Sequence, residues 1–161
     1  MREYVVGGAG ITLANQPVTL VWINPSATIG IEILRCWVSQ SANATSAQQR
    51  VQLNTQVTAF PTVVSATPAK LKLSDPTSGI VGGTTGAAGT CGINASAEGA
   101  GGKTVSIQDS FNVLNGWLWV PTPRETIIIG AGSVSGFGLH LPVAAVTLTN
   151  WSFGVVYSEV G

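Results

Sequence analysis

The residues Ala97-Glu98-Gly99-Ala100-Gly101-Gly102-Lys103-Thr104 end like a phosphate-binding loop, with Ala where the first glycine of that pattern belongs. Such a loop needs an apolar strand before it, backbone N–H groups wrapped around phosphate, and a helix N-terminus after it. Here the upstream stretch is GTCGINAS, the downstream stretch TVSIQDS alternates like a strand, and Glu98 would repel phosphate from within the cradle. Nucleotide hydrolysis is therefore not the expected chemistry. Thr126 to Gly136 (TIIIGAGSVSG) imitates a dinucleotide fingerprint, but only the 25 residues from 137 to 161 follow it. Those residues begin FGLHLP, another alternating strand, so a turn between antiparallel strands is the better reading.

Acid–base and metal chemistry are thinly supplied. His140 is the single histidine, and its place in GLHLP, with Leu139 and Leu141 on the opposite face, predicts an imidazole on a strand surface or at an interface. The seven carboxylates (Glu3, Glu32, Asp75, Glu98, Asp109, Glu125 and Glu159) stand singly, without the pairing of a glycosidase or the loop spacing of a calcium site. Cys36 and Cys91 lie in no metal-spaced motif and are too few for a disulfide framework, so two buried or idle thiols are expected ahead of a single bridge between them. Neither an enzyme nor a cofactor or metal site is predicted. Trp117 and Trp119 share a strand face and, with Trp151, could form a sugar-stacking platform, although aromatics in apolar strands ordinarily fill cores.

The elements that must carry these residues are strands. Helical periodicity is almost absent, and short β-branched runs bounded by Gly, Pro, Asn and Ser recur along the 161 residues. The clearest span 17–23, 29–39 and 50–58. Shorter candidates span 69–73, 104–107, 116–120, 125–129 and 136–141, and a long one spans 146–159. Eight or so antiparallel strands in one domain predict an all-β sandwich, jelly-roll-like rather than immunoglobulin-like. Prolines 61, 68 and 76 and nine glycines between residues 78 and 104 predict a long excursion from 61 to 103 with at most short strands, glycine-rich at about 79–103.

Composition points toward assembly. Charged residues make up 9% of the chain, seven basic against seven acidic, and 45% are hydrophobic. A balance this close to zero supplies neither a field for nucleic acid or anionic membrane nor repulsion between copies. No apolar stretch has the length of a membrane helix, and the start lacks the apolar region of a signal peptide, so synthesis in the cytoplasm is expected. Glycine at every third residue (Gly83, Gly86, Gly89, Gly92) is too brief for collagen but makes a thin segment able to lie against another backbone.

With its few charges, abundant Thr, Ser, Asn, Gln and Gly, and strands such as TLTNWSFGVVYSEVG, the chain resembles small jelly-roll structural proteins of viruses, most of all tailed-phage capsid decoration (cement) proteins. The resemblance implies a homotrimer seated on a virion, bound to the major capsid protein through termini and loops. The resemblance identifies no contact residues; apart from it, contacts outside the sandwich are expected from Arg2 to Thr12, with Arg2 and Tyr4, and from the excursion at 79–103, with Gly83, Gly86, Gly89 and Gly92. The other expectation is a carbohydrate- or receptor-binding sandwich that uses Trp117, Trp119 and Trp151.

Overall fold

The computed structural model describes residues 2–42 and 44–161, and the described residues contain strands and turns but no helix. Two antiparallel sheets face each other across one core. The first, sheet A, is built on β1 (Arg2–Ile11), β3 (Gly30–Gln40) and β13 (Trp151–Val160). Short strands flank them: β6 (Ala69–Lys70) pairs with β1, while β10 (Trp117–Trp119) and β11 (Ile127–Ile129) pair with successive halves of β3. Sheet B runs in the order β5 (Thr62–Ser65), β8 (Thr90–Ala97), β2 (Val18–Ile23), β12 (Ser135–Leu141), β4 (Gln48–Val57), β9 (Lys103–Asn112). A two-residue strand, β7 (Val81–Gly82), lies parallel to β8.

Setting aside β5 to β8 and treating β10 with β11 as one broken strand leaves eight strands in chain order. Sheet A then reads first, eighth, third, sixth, and sheet B reads second, seventh, fourth, fifth. This interleaving is that of a jelly roll, in which the two ends of the chain pair with each other and each inner pair nests inside the last. The excursion is an insertion between the fourth and fifth strands. It lays β6 against β1 and β8 against β2, so it extends both sheets on the same side of the sandwich.

Side-chain alternation sends one set of residues from each sheet inward. Val6, Val155 and Cys36 share a row across β1, β13 and β3, and Leu53, Leu139 and Val21 share one across β4, β12 and β2; all six are buried. Trp151, Phe153, Phe137, Leu20, Ile31 and Ile33 fill the space between, fully or almost fully buried.

Three expectations need correction. Arg2–Ile11 is a sheet strand paired along its length with β13, and Tyr4 is fully buried, its ring 5.7 Å from that of Tyr157 and its hydroxyl donating to the Pro76 carbonyl. Its three glycines had broken the strand pattern. The excursion contains an eight-residue strand, β8, whose small residues hid it from propensity. The last strand begins at Trp151, and residues 142–150 form the turn that leads into it.

Candidate functional site

Every residue of β2 is buried, although a strand at a sheet face normally wets one side. The cover on the outer side is the excursion. Trp22 lies beneath it, with the Phe60 ring tilted against its own at 5.4 Å and its Nε1 donating to the Gly86 carbonyl, which also accepts from Asn24 Nδ2. Gly86 has a φ of +65°, and a Cβ there would come within 2.9 Å of Phe60, Pro61 and Trp22, so both backbone sign and space demand glycine. Gly92 lies within β8 opposite Trp22, and Gly83 and Gly89 line the turn around Thr90. All four glycines therefore make packing contacts within the chain.

Each end of the covering segment is fastened by a carboxylate. At the first end Glu159 of β13 accepts from Ser78 Oγ at 2.6 Å and from the Gly79 N–H at 2.7 Å, while Ser78 and Tyr157 share a hydrogen bond. Burial pushes the Tyr157 phenol well above its ordinary range. At the other end, residues 98–102 cross the outer face of sheet B from β8 to β9. There the Glu98 carboxylate accepts from Thr19 N–H (2.5 Å), Thr19 Oγ1 (2.7 Å) and Lys103 Nζ (2.6 Å). His140 Nδ1 lies 3.3 Å from both Glu98 Oε2 and Thr19 Oγ1. Gln56 Nε2 completes the seam by donating to the Glu98 and Ala59 carbonyls.

Glu98 and Lys103 share one glycine-rich loop in the sequence and His140 stands far from it; the fold brings the three to one shallow pocket edged by Gln16, Pro17 and Ser96, with Thr19 buried beside them. No sequence spacing links residues 19, 98 and 140; the Glu98-to-Lys103 interval was the only local clue. Instead of occupying an open strand surface, His140 is buried under the crossing segment. Burial, helped by the Lys103 charge and opposed by Glu98, lowers its pKa to about 4. The ring is neutral near pH 7.

The grouping invites comparison with a hydroxyl–imidazole–carboxylate relay. In such a relay the nucleophile and the carboxylate engage opposite ring nitrogens, so that a proton taken at one side is balanced at the other. Here Thr19 Oγ1 and Glu98 Oε2 approach the same nitrogen, and the hydroxyl already donates to the carboxylate. Thr19 is itself 1% exposed, so substrate cannot reach it. The arrangement works as a clamp: one carboxylate gathers donors from β2 and β9 and fixes the segment between.

The remaining candidates divide by exposure. Trp151 is fully buried, edge-on to Phe111, with Nε1 donating to the Thr147 carbonyl, so it presents no stacking face. Trp117 and Trp119 are half-buried against the core, and Trp117 Nε1 donates to Asp109 Oδ2 across the open side of the sandwich. Arg2 is exposed at the start of β1. Cys36 and Cys91 are buried free thiols; burial raises Cys36 well above the usual thiol range and Cys91 to about 12. Among the described residues no group of three metal-ligating side chains is present.

The outer face of sheet A is different in kind. Trp37 lies flat over Gly154, where any Cβ would overlap its ring, and Arg35 stands 5.6 Å from the ring centroid. Leu118, Val120, Ile128 and Leu71 surround this row and are exposed. No segment of the described chain crosses them. Comparison with known proteins adds nothing to this geometry: no family model, curated protein or solved structure matches the chain.

Proposed function

We propose that the chain is a structural protein of a virion, one that self-associates and decorates or reinforces a phage capsid through contacts with the major capsid protein. The observation that carries this reading is an apolar exterior on a jelly-roll frame. Thirteen large hydrophobic side chains are exposed among the described residues, and the seven positive and seven negative charges cancel. Scattered apolar residues are ordinary on a soluble surface, but several gathered on one sheet face mark a contact surface. Net neutrality lowers the cost of bringing copies together. The clamp at Glu98 fits the same role, since it holds the excursion flat against its own sheet and makes the subunit a rigid tile.

The test is sedimentation of the purified chain over a range of concentrations, together with its recovery from density-gradient-purified particles of its source. Self-association and recovery with the particles are expected, and the same experiment measures the trimer that the resemblance implies. A chain that stays monomeric at high concentration and is missing from particles overturns the reading.

A further inference from the structure

Two surfaces of the sandwich could take a partner: the free edge of β9 and the outer face of sheet A. The edge is blunted. β9 carries a bulge opposite Leu53 and Asn54, and Asp109 is drawn across the open side by Trp117 Nε1. Irregularity and charge on an edge are the usual means of preventing strand addition.

The face has no such protection. Leu118 and Ile128 are 64% and 59% exposed, on strands that border β3 from the same side. Across β3, β13 and β1 the row Trp37, Gly154, Gly7 is flat because two of its members lack side chains. The adjoining row, Arg35, Val156, Val5, is largely apolar, with Val156 buried at the floor of a hollow between Arg35, Leu71 and Val120; Glu32, Ser158 and Glu3 form the next, with Ser158 buried. Strands about 4.8 Å apart with about 3.3 Å per residue give this face on the order of 700 Å². That approaches the roughly 800 Å² per partner of a stable interface.

The charges on the face balance. Glu32 and Arg35 lie on the same face of β3, either side of the bulged Leu34, and Glu3 has Lys72 3.9 Å away. A surface carrying paired opposite charges beside an apolar field complements itself when rotated by half a turn. We infer that the outer face of sheet A binds the same face of a second copy about a two-fold axis near Leu34, with Glu32 of each copy against Arg35 of the other. This deepens the reading of the chain as a self-associating structural protein and rests on it. The apolar residues supply the contact energy, and the two ion pairs fix the orientation.

The experiment measures mass by sedimentation velocity for the wild type, four variants and a control. The variants are Leu118→Lys with Ile128→Lys, Glu32→Arg, Arg35→Glu, and the charge exchange Glu32→Arg with Arg35→Glu; Val64→Lys, on β5 of the other sheet, is the control. Circular dichroism confirms that each is folded. The paired lysine variant is expected to halve the wild-type mass, whatever other contacts the assembly uses, and Val64→Lys to leave it unchanged. Each single charge reversal should weaken association by about tenfold or more, and the exchange should restore it. Restoration separates an ion pair from the loss of Arg35 stacking on Trp37. If the wild type self-associates and the lysine pair leaves its mass intact, the face is wrong while the structural reading stands. A mass divided by a factor other than two, or no restoration by the exchange, overturns the two-fold. A monomeric wild type overturns this inference, and the reading beneath it falls as well if the chain is also missing from the particles.

Discussion

Replacing Glu98 by alanine should be among the most damaging single changes outside the core. The buried N–H of Thr19 would lose its Glu98 acceptor, at 2.5 Å, and the Thr19 hydroxyl would lose its shorter partner, at 2.7 Å, keeping His140 Nδ1 at 3.3 Å. An orphaned buried donor costs about 1–3 kcal/mol. The Lys103 pair adds less, because both side chains keep about a quarter of their surface in water (24% and 22% exposed), and partly exposed pairs contribute roughly 0.5–1 kcal/mol. Together these give a loss of about 3 kcal/mol, which for a chain of 161 residues lowers the melting temperature by about 6–12 °C. Glu98→Gln retains one acceptor oxygen for the Thr19 N–H but loses the charge and the second acceptor, which serves Lys103 Nζ and the Thr19 hydroxyl, so it should cost about half as much. Urea unfolding with an unchanged slope measures both. Hydrogen exchange should show the Thr19, Val57 and Gly101 amides losing protection first, since the last two bond the crossing segment to the end of β4 and the residues after it. A loss below about 0.5 kcal/mol for Glu98→Ala, or a glutamine variant as damaged as the alanine one, would refute the clamp.

Three more outcomes are expected. His140 takes its proton at about 4 in the folded protein and at 6.5 in the unfolded chain, so between those values the unfolded state holds more protons and stability rises with pH, by at most about 3 kcal/mol. Urea midpoints measured from pH 4 to pH 7 should show that slope in the wild type and lose it in His140→Asn; equal slopes would remove His140 as the cause. Gly7→Ala should destabilise more than Gly154→Ala, because its Cβ would strike the backbone of Phe153 and Gly154, whereas at Gly154 the obstacle is the Trp37 ring, which can swing toward solvent; thermal melts that reverse this order would contradict the packing. Both thiols should resist an aromatic disulfide reagent at mildly alkaline pH and react once urea unfolds the chain, since each is buried and its thiolate disfavoured; rapid labelling of the native protein would contradict this.

Strand placement was legible wherever apolar residues alternate or run together between turn residues. Residues 17–23, 29–39 and 50–58 were expected as strands, and the fold has Val18–Ile23, Gly30–Gln40 and Gln48–Val57. The rule fails where side chains are missing. β1 reads REYVVGGAGI, and its glycines look like breakers, yet Gly7 is required because the β13 backbone leaves no room for a Cβ. β8 reads TCGINASA and forms because it completes the edge of β2, a tertiary cause that no local window contains. The clamp was invisible for a related reason: residues 19, 98 and 140 meet only after the insertion folds back across sheet B. What the sequence did hold was a reason to reject the phosphate loop. The same Glu98 that would repel phosphate is the group around which the crossing segment is organised.

The two outer faces show how one sandwich divides its surface. On sheet B the chain supplies its own cover, and the residues beneath it include Thr19, Asn24, Asn54, Gln56 and His140. Polar groups are tolerable there because a neighbouring backbone can hydrogen-bond them, as the Gly86, Ala59 and Glu98 carbonyls do. The match is incomplete: Asn24 Oδ1, Asn54 Nδ2 and Gln56 Oε1 are buried without a partner, so the cover is held mainly by its two carboxylate-bound ends. Sheet A has no such cover, and Leu118, Val120 and Ile128 stand exposed at its outer border. A face meant to remain in water would alternate apolar-in with polar-out. Apolar residues stand exposed on the outward side of β10 and β11, on strands that already contribute Trp117, Trp119 and Ile129 to the core, and they are the observation on which the proposed contact through sheet A rests.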